Sequence, residues 1–263
     1  MAETKQKTEE KTVEEQIEII EEENRKLGLW NQIKEDFSVP KLNDPALNSN
    51  LELIFNYPGV WAIINHRIAH RLYRKNFKLL SRIIMGLTQF LCNMDIHPAS
   101  TIGRRVFIDH GIGVVIGQTT IIEDDVLIYQ GVTLGGVSLN KGKRHPTIKA
   151  NSVIGSGAKV LGNITVGKNG KIGANSVVIC DVPKNSTAVG VPAKVLKRDD
   201  KNGRLNHGDL PDINKEMFEY LLKRVALLEH AIKDHEGIDL SNQDEDLECI
   251  YKKFIGAMNS IKK

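Results

Sequence analysis

The chain has 263 residues, 41% of them hydrophobic and 26% charged, with a net charge of +3. That balance describes a globular protein and excludes a disordered, collagen-like or strongly basic nucleic-acid-binding chain. The longest apolar region, residues 79–92, is interrupted by Arg82 and too short to span a bilayer, and the first residues carry no apolar signal segment.

Cys92, Cys180 and Cys249 are widely spaced, fit no metal pattern and cannot all pair within one chain. A reducing compartment, the cytoplasm, is therefore expected.

Residues 1–94 lack repeats and read as a helical N-terminal domain. Residues 1–25 are dense in Glu and Lys, with Val13, Ile17 and Ile20 among few apolar positions, and this predicts a frayed, solvated helix. Tyr57-Pro58-Gly59 makes a turn. Residues 60–92 are rich in Ile, Leu, Arg and His without strand alternation, which predicts two helices broken near Lys75-Asn76.

From Ile96 the pattern changes. Ile96, Ile102 and Ile108 are spaced by six, as are Ile116, Ile122, Ile128 and Leu134, and again Ile148, Ile154, Val160, Val166, Ile172 and Val178. Glycine often follows the aliphatic residue, as at Gly103, Gly117, Gly155, Gly167 and Gly173. Neither a helix nor a hairpin has a period of six. A three-sided solenoid does, with one strand per side and one inward aliphatic residue per strand. Residues 95–196 are thus expected to form a parallel β-helix of hexapeptide repeats, in an α+β chain.

Residues 197–263 read as a linker followed by a C-terminal helical extension. Residues 197–209 are polar and rich in Gly, Asn and Asp. Ile213, Met217, Leu221, Val225, Leu228 and Ile232 then form one helical stripe, and a last helix is expected over residues 244–261. These helices read as docking or oligomer-supporting elements.

Departures from a regular register are informative. Between Ile108 and Ile116 the interval widens from six residues to eight, and the insertion contains Asp109-His110-Gly111. Between Leu134 and Ile148 it widens to fourteen, and that loop contains Lys141, Lys143, Arg144 and His145. A third histidine, His97, follows Asp95 at the first coil. A histidine in a turn serves as structural hydrogen-bonder or as catalyst, and a charged loop can be a solvated bulge. His66 and His70 stand four apart on a predicted helix, a geometry open to a metal, but no third ligand lies near and packing is the simpler reading. Hexapeptide solenoids host acyl transfer from coenzyme A and also a zinc carbonic anhydrase. The separation of His97, His110 and His145 argues against a zinc site, so no metal is expected.

Several segments together resemble the serine O-acetyltransferases: Asp95-Ile96-His97-Pro98, Asp109-His110-Gly111, the run 130–136, Lys143-Arg144-His145-Pro146 and the run 190–194. Upstream, Asp44-Pro45-Ala46, Tyr57-Pro58-Gly59 and the run 66–70 do so too, and the resemblance spans about residues 44–195. It implies a left-handed parallel β-helix, a homotrimer or hexamer, and acetyl transfer from acetyl-CoA to the hydroxyl of L-serine for cysteine biosynthesis, with L-cysteine as feedback inhibitor.

By the same resemblance His110 is the general base, Asp95 its orienting carboxylate, and His145 and Arg144 contact the serine carboxylate or the developing oxyanion. Asp44 and Asp109 are partners for the serine ammonium. The coenzyme, the co-substrate, is expected along a groove where Gly136, Ser156, Gly157 and Ala174 let it approach the backbone, with Lys194 at a phosphate. Some relatives end in an isoleucine that enters the next enzyme of cysteine synthesis. This chain ends Ile261-Lys262-Lys263, which argues against a complex with cysteine synthase. No nucleic acid or membrane partner is expected. The alternatives are a hexapeptide acetyltransferase for another hydroxyl acceptor and a non-catalytic solenoid scaffold.

Overall fold

A hexapeptide period places one aliphatic side chain per strand inside a triangular coil, and a computed structural model has that architecture. It describes residues 12–197, Phe218, residues 221–225 and Leu228. The chain divides into two units, residues 1–210 and 211–263.

The first unit begins with five helices: α1 (Val13–Leu27), α2 (Leu29–Asn43), α3 (Glu52–Phe55), α4 (Pro58–Arg74) and α5 (Lys78–Cys92). The expected break near Lys75-Asn76 separates α4 from α5. The expectation of a frayed first helix fails for α1. Thr12 and Glu15 form a capping box that satisfies orphan N–H groups at its start. Ile20 is buried, Glu21 Oε1 lies 2.5 Å from His70 Nε2, and Asn24 Nδ2 donates to the Ile102 carbonyl. The sequence conceals this docking because polar residues make most of it.

The solenoid follows as a left-handed parallel β-helix. Ile96, Ile116, Leu134, Val160 and Val178 stack in register on a first face. Ile102, Ile122, Ile148 and Val166 stack on a second. Ile108, Ile128, Ile154, Ile172 and Ala188 stack on a third. All are buried, and removing a Val or Ile side chain from water is worth about 1.5–3 kcal/mol. The third sheet ends in an antiparallel hairpin of Ser186–Gly190 and Ala193–Lys197.

The corner between the second and third faces has its own repeat. Arg105, Asp125, Asn151, Asn169 and Asn185, one per coil, all take φ between 52° and 59°. Asn and Asp tolerate that left-handed conformation best after glycine.

A buried ion pair joins the helices to the first coil. Arg67 on α4 donates to both oxygens of Asp36 on α2, at 2.6 and 2.8 Å, and to the carbonyl of Gly103 at 3.0 Å. His66 meets Ser100 Oγ, and His70 meets the Pro98 carbonyl as well as Glu21. These contacts give both histidines structural partners.

In the second unit, Phe218, residues 221–225 and Leu228 are helical, and Phe218, Leu221, Val225 and Leu228 are about half exposed. The rest of the predicted stripe, the linker beyond Lys197, the last helix and the chain's end lie outside the described residues. Among the described residues no helix is long and apolar enough to cross a membrane.

Candidate active site

Two of the solenoid's three corners carry most of the residues singled out by the sequence. The corner from the third face to the first holds the eight-residue interval. There Gly111 and Gly113 have φ of 73° and 75°, and His110 itself has φ of 58°. Histidine is among the few side chains that adopt this region, and such backbone is held in place by its surroundings. The surroundings here are Met94, whose side chain would overlap any Cβ at Gly111, and the Asn93 carbonyl, which accepts from Gly113 N. The His110 side chain is 72% exposed, with Nε2 3.9 Å from Asp109 Oδ1.

The helices bring a second carboxylate into this neighbourhood. At Gly59, near the start of α4, a Cβ would overlap the carbonyl oxygen of Ile108, so only glycine permits this helix–coil approach. Tyr57 precedes it and donates its hydroxyl to Asp44 Oδ2 at 2.7 Å, while Ala46 N donates to Asp44 Oδ1 at 2.8 Å. These two bonds hold the Asp44 carboxyl below the usual range, with His110 adding to the effect. Burial pushes the Asp109 carboxyl up; His110 opposes that shift and the charge of Asp44 reinforces it. Burial and Asp44 push the Tyr57 phenol up to about 12, so it remains a donor. Burial, Asp109 and Asp44 also raise Tyr129. The exposed histidine thus stands beside two carboxylates whose charge a cationic ligand group would relieve.

Asp95 lies on the first strand, its backbone N–H donating to the Val114 carbonyl, and its exposed carboxylate has, among the described residues, no hydrogen bond or ion pair. The carboxylate paired with His110 in this single chain is Asp109.

The corner from the first face to the second holds the long loop. His145 is buried, its Nδ1 faces the hydroxyl and N–H of Thr119, and a Cβ at Gly117 would overlap its imidazole. Arg144 donates to Gln118 Oε1 at 2.8 Å and to the Asn140 carbonyl at 3.2 Å. Lys143 Nζ donates to the His145 carbonyl, and burial lowers that ammonium to about 8. Burial, then Arg144 and Lys143, lower His145. His97 shares this corner and is lowered to about 4, first by burial and then by Arg82, His145 and Arg144. The sequence offered no signal for Thr119 or Gln118 as contributors, and Tyr57 entered only as part of a resembling segment, with no role attached.

The residues expected at the coenzyme divide between the two corners. Ser156, Gly157 and Ala174 lie on the corner that carries His110, in later coils. The Cα atoms of Gly131 and Gly157 lie 3.8 and 3.4 Å from where a Cβ on Gly113 and on Gly131 would stand, so bare backbone continues from coil to coil. Gly136 lies at the other corner, where a Cβ would stand 3.2 Å from His145 Nε2. Lys194 is exposed on the terminal hairpin opposite Val189. Among the described residues no group of three or more His, Cys, Asp or Glu is placed to hold a metal ion.

No family model matches the chain. It is 49% identical over 209 residues to a serine acetyltransferase of Bacillus subtilis strain 168, covering 79% of this chain and 96% of that protein. A solved serine acetyltransferase in complex with cysteine is 41% identical, with a TM-score of 0.63, over 70% of this chain and 75% of the other. A Brucella abortus strain S19 serine acetyltransferase in complex with coenzyme A is 38% identical, with a TM-score of 0.62, over 69% and 72%.

Proposed function

This chain belongs to the serine acetyltransferase family, and we propose that it transfers the acetyl group of acetyl-CoA to the hydroxyl of L-serine, with His110 as the base. The observation that carries the reading is the acidic setting of His110. Asp44, held ionised by Tyr57 and Ala46, and Asp109, raised by burial, form a pair suited to an ammonium group beside a nucleophilic hydroxyl.

Serine's hydroxyl is a poor nucleophile at neutral pH and needs a positioned base. His110 takes its proton as the oxygen attacks the thioester carbonyl. When the carbon–sulfur bond breaks, the imidazolium returns the proton to the departing thiolate. A donor at the carbonyl oxygen lowers the barrier, and His145 is assigned that role. Arg144 suits the serine carboxylate through its planar, two-donor geometry. Asp95 remains the proposed orienting carboxylate for His110.

Within one chain His110 and His145 belong to different corners, so the complete site is assigned to the groove between adjacent copies in a trimer. Ser156, Gly157, Ala174 and Lys194 from one wall and Gly136 from the other would then line the coenzyme. Its pantetheine arm needs close backbone approach, which the glycines on the His110 corner allow. L-cysteine differs from serine in sulfur for oxygen, carries the same ammonium and carboxylate, and is assigned as an inhibitor at the same site. The cytoplasm as compartment belongs to the same reading.

An acceptor panel tests it. Release of free thiol from acetyl-CoA should be fastest with serine and slower with homoserine, threonine and amino sugars. Faster acylation of an amino sugar would give the site to another hydroxyl acceptor, and no transfer to any acceptor would favour a scaffold.

A further inference from the structure

Thr119 has no part in the mechanism above, yet its contacts converge on the Arg144–His145 segment. Its hydroxyl oxygen accepts from the backbone N–H of Arg144 at 3.0 Å and of His145 at 3.1 Å. The same hydroxyl lies 2.9 Å from Nδ1 of the His145 ring, and the Thr119 backbone N–H reaches that nitrogen at 3.3 Å.

Counting donors fixes the protons. A backbone N–H can only donate, so Nδ1 must present a lone pair. The two lone pairs of the hydroxyl are taken by the two backbone N–H groups, which leaves its own proton for Nδ1, whose single lone pair it shares with the longer contact from the Thr119 N–H. The network is satisfied by one state of His145: neutral, with its proton on Nε2.

We propose that Thr119 is a positioning residue for acyl transfer, locking His145 as the neutral Nε2–H tautomer so that the ring offers a hydrogen-bond donor to the oxyanion. The inference deepens the role assigned to His145 above and rests on it. The two histidines of the reaction need opposite states. His110 needs a lone pair with which to take a proton, and His145 needs a fixed proton to lend as a donor.

The surroundings agree. The Nε2 edge of His145 faces Gly117 and Gly136, positions where a Cβ would overlap the ring or stand 3.2 Å from Nε2. Burial first, then the neighbouring charges of Arg144 and Lys143, favour the neutral form of the ring.

The test uses the full chain with 15N-labelled histidine. Wild-type protein should show His145 protonated on Nε2. Thr119→Val keeps the side-chain size and the backbone N–H but removes the hydroxyl donor. In that variant the backbone N–H alone holds Nδ1, and the imidazole should titrate higher by about half a unit to one unit, the worth of one hydrogen bond. Turnover should fall about tenfold, part of what a lost oxyanion donor costs. The KM for acetyl-CoA should hold, and Thr119→Ser should restore both the titration and the rate. In a His145→Ala background, Thr119→Val should add no further loss.

An unchanged His145 titration in Thr119→Val would overturn the lock. So would an undiminished effect of Thr119→Val when His145 is already absent. A fully active His145→Ala protein would overturn the role of His145, and with it the catalytic half of the inference, whatever tautomer is observed.

Discussion

The hydroxyl of Tyr57 donates to Oδ2 of Asp44 across 2.7 Å, tying the start of α4 to the end of α2 beside the turn that carries His110. The phenol is held protonated and the carboxylate ionised, so the pair has a fixed polarity. Asp44→Ala should raise the KM for serine and weaken inhibition by cysteine, with little effect on the KM for acetyl-CoA. Tyr57→Phe leaves the charge and removes only its anchor, so it should raise the serine KM less. Initial-rate kinetics with each substrate varied in turn check both, and an unchanged serine KM in Asp44→Ala would remove that carboxylate from the site.

His110→Asn should lose about 10²–10⁴-fold in turnover, the range of a positioned general base, while the protein stays folded. Asparagine is the substitution of choice because it tolerates the left-handed backbone that His110 adopts. Steady-state rates with circular dichroism as a folding control check this, and a loss under fivefold would exclude His110 as the base.

The Arg67–Asp36 pair is buried on both sides. Asp36→Ala leaves a buried guanidinium without its carboxylate and should destabilise the protein by about 3–5 kcal/mol. Denaturant unfolding measures the loss. A change below about 1 kcal/mol, the scale of an exposed pair, would mean that this contact does not anchor the helices on the solenoid.

Stability should fall on acidification through the histidines held neutral by the fold. His97 titrates at about 4 in the folded chain and near 6.5 when unfolded. Between those values the unfolded chain binds the extra proton, so stability rises with pH and is lost as pH drops below about 6.5. The slope for one such group is at most about 1.4 kcal/mol per pH unit, reduced by whatever solvent screens. His97→Asn keeps an acceptor for the Ala99 N–H and removes the titration, so unfolding free energies between pH 6.5 and 4.5 should show a shallower slope. An unaltered slope would contradict the depressed value.

The solenoid was legible because its defining constraint, one inward aliphatic residue per strand, is written along the chain from Ile96 to Val178. The breaks at His110 and His145 were legible for the same reason, since an interrupted period shows where a turn has been enlarged. What could not be read was contact without spacing. Thr119 meets His145 from an earlier coil, and Tyr57 meets Asp44 from another helix. Neither partnership leaves a periodic trace. The ladder of left-handed turns was hidden because Arg105 and Asp125 occupy positions that Asn fills in later coils. Asp95 and Asp44 acquired roles only through resemblance. Asp44 lies close enough to feel the charge of His110, whereas the Asp95 carboxylate is exposed and without a side-chain hydrogen bond or ion pair among the described residues.

In the proposed assembly a working site needs the His110 corner of one copy and the His145 corner of its neighbour. Complementation tests it most directly. His110→Ala and His145→Ala proteins, each nearly inactive, are unfolded together and refolded as mixed assemblies, with differently tagged subunits to prove that mixing occurred. In a symmetric ring some interfaces then pair two intact corners, and activity should return only in the mixtures. If mixed assemblies form and no activity returns, the site is not shared, and both histidines must act from within one chain.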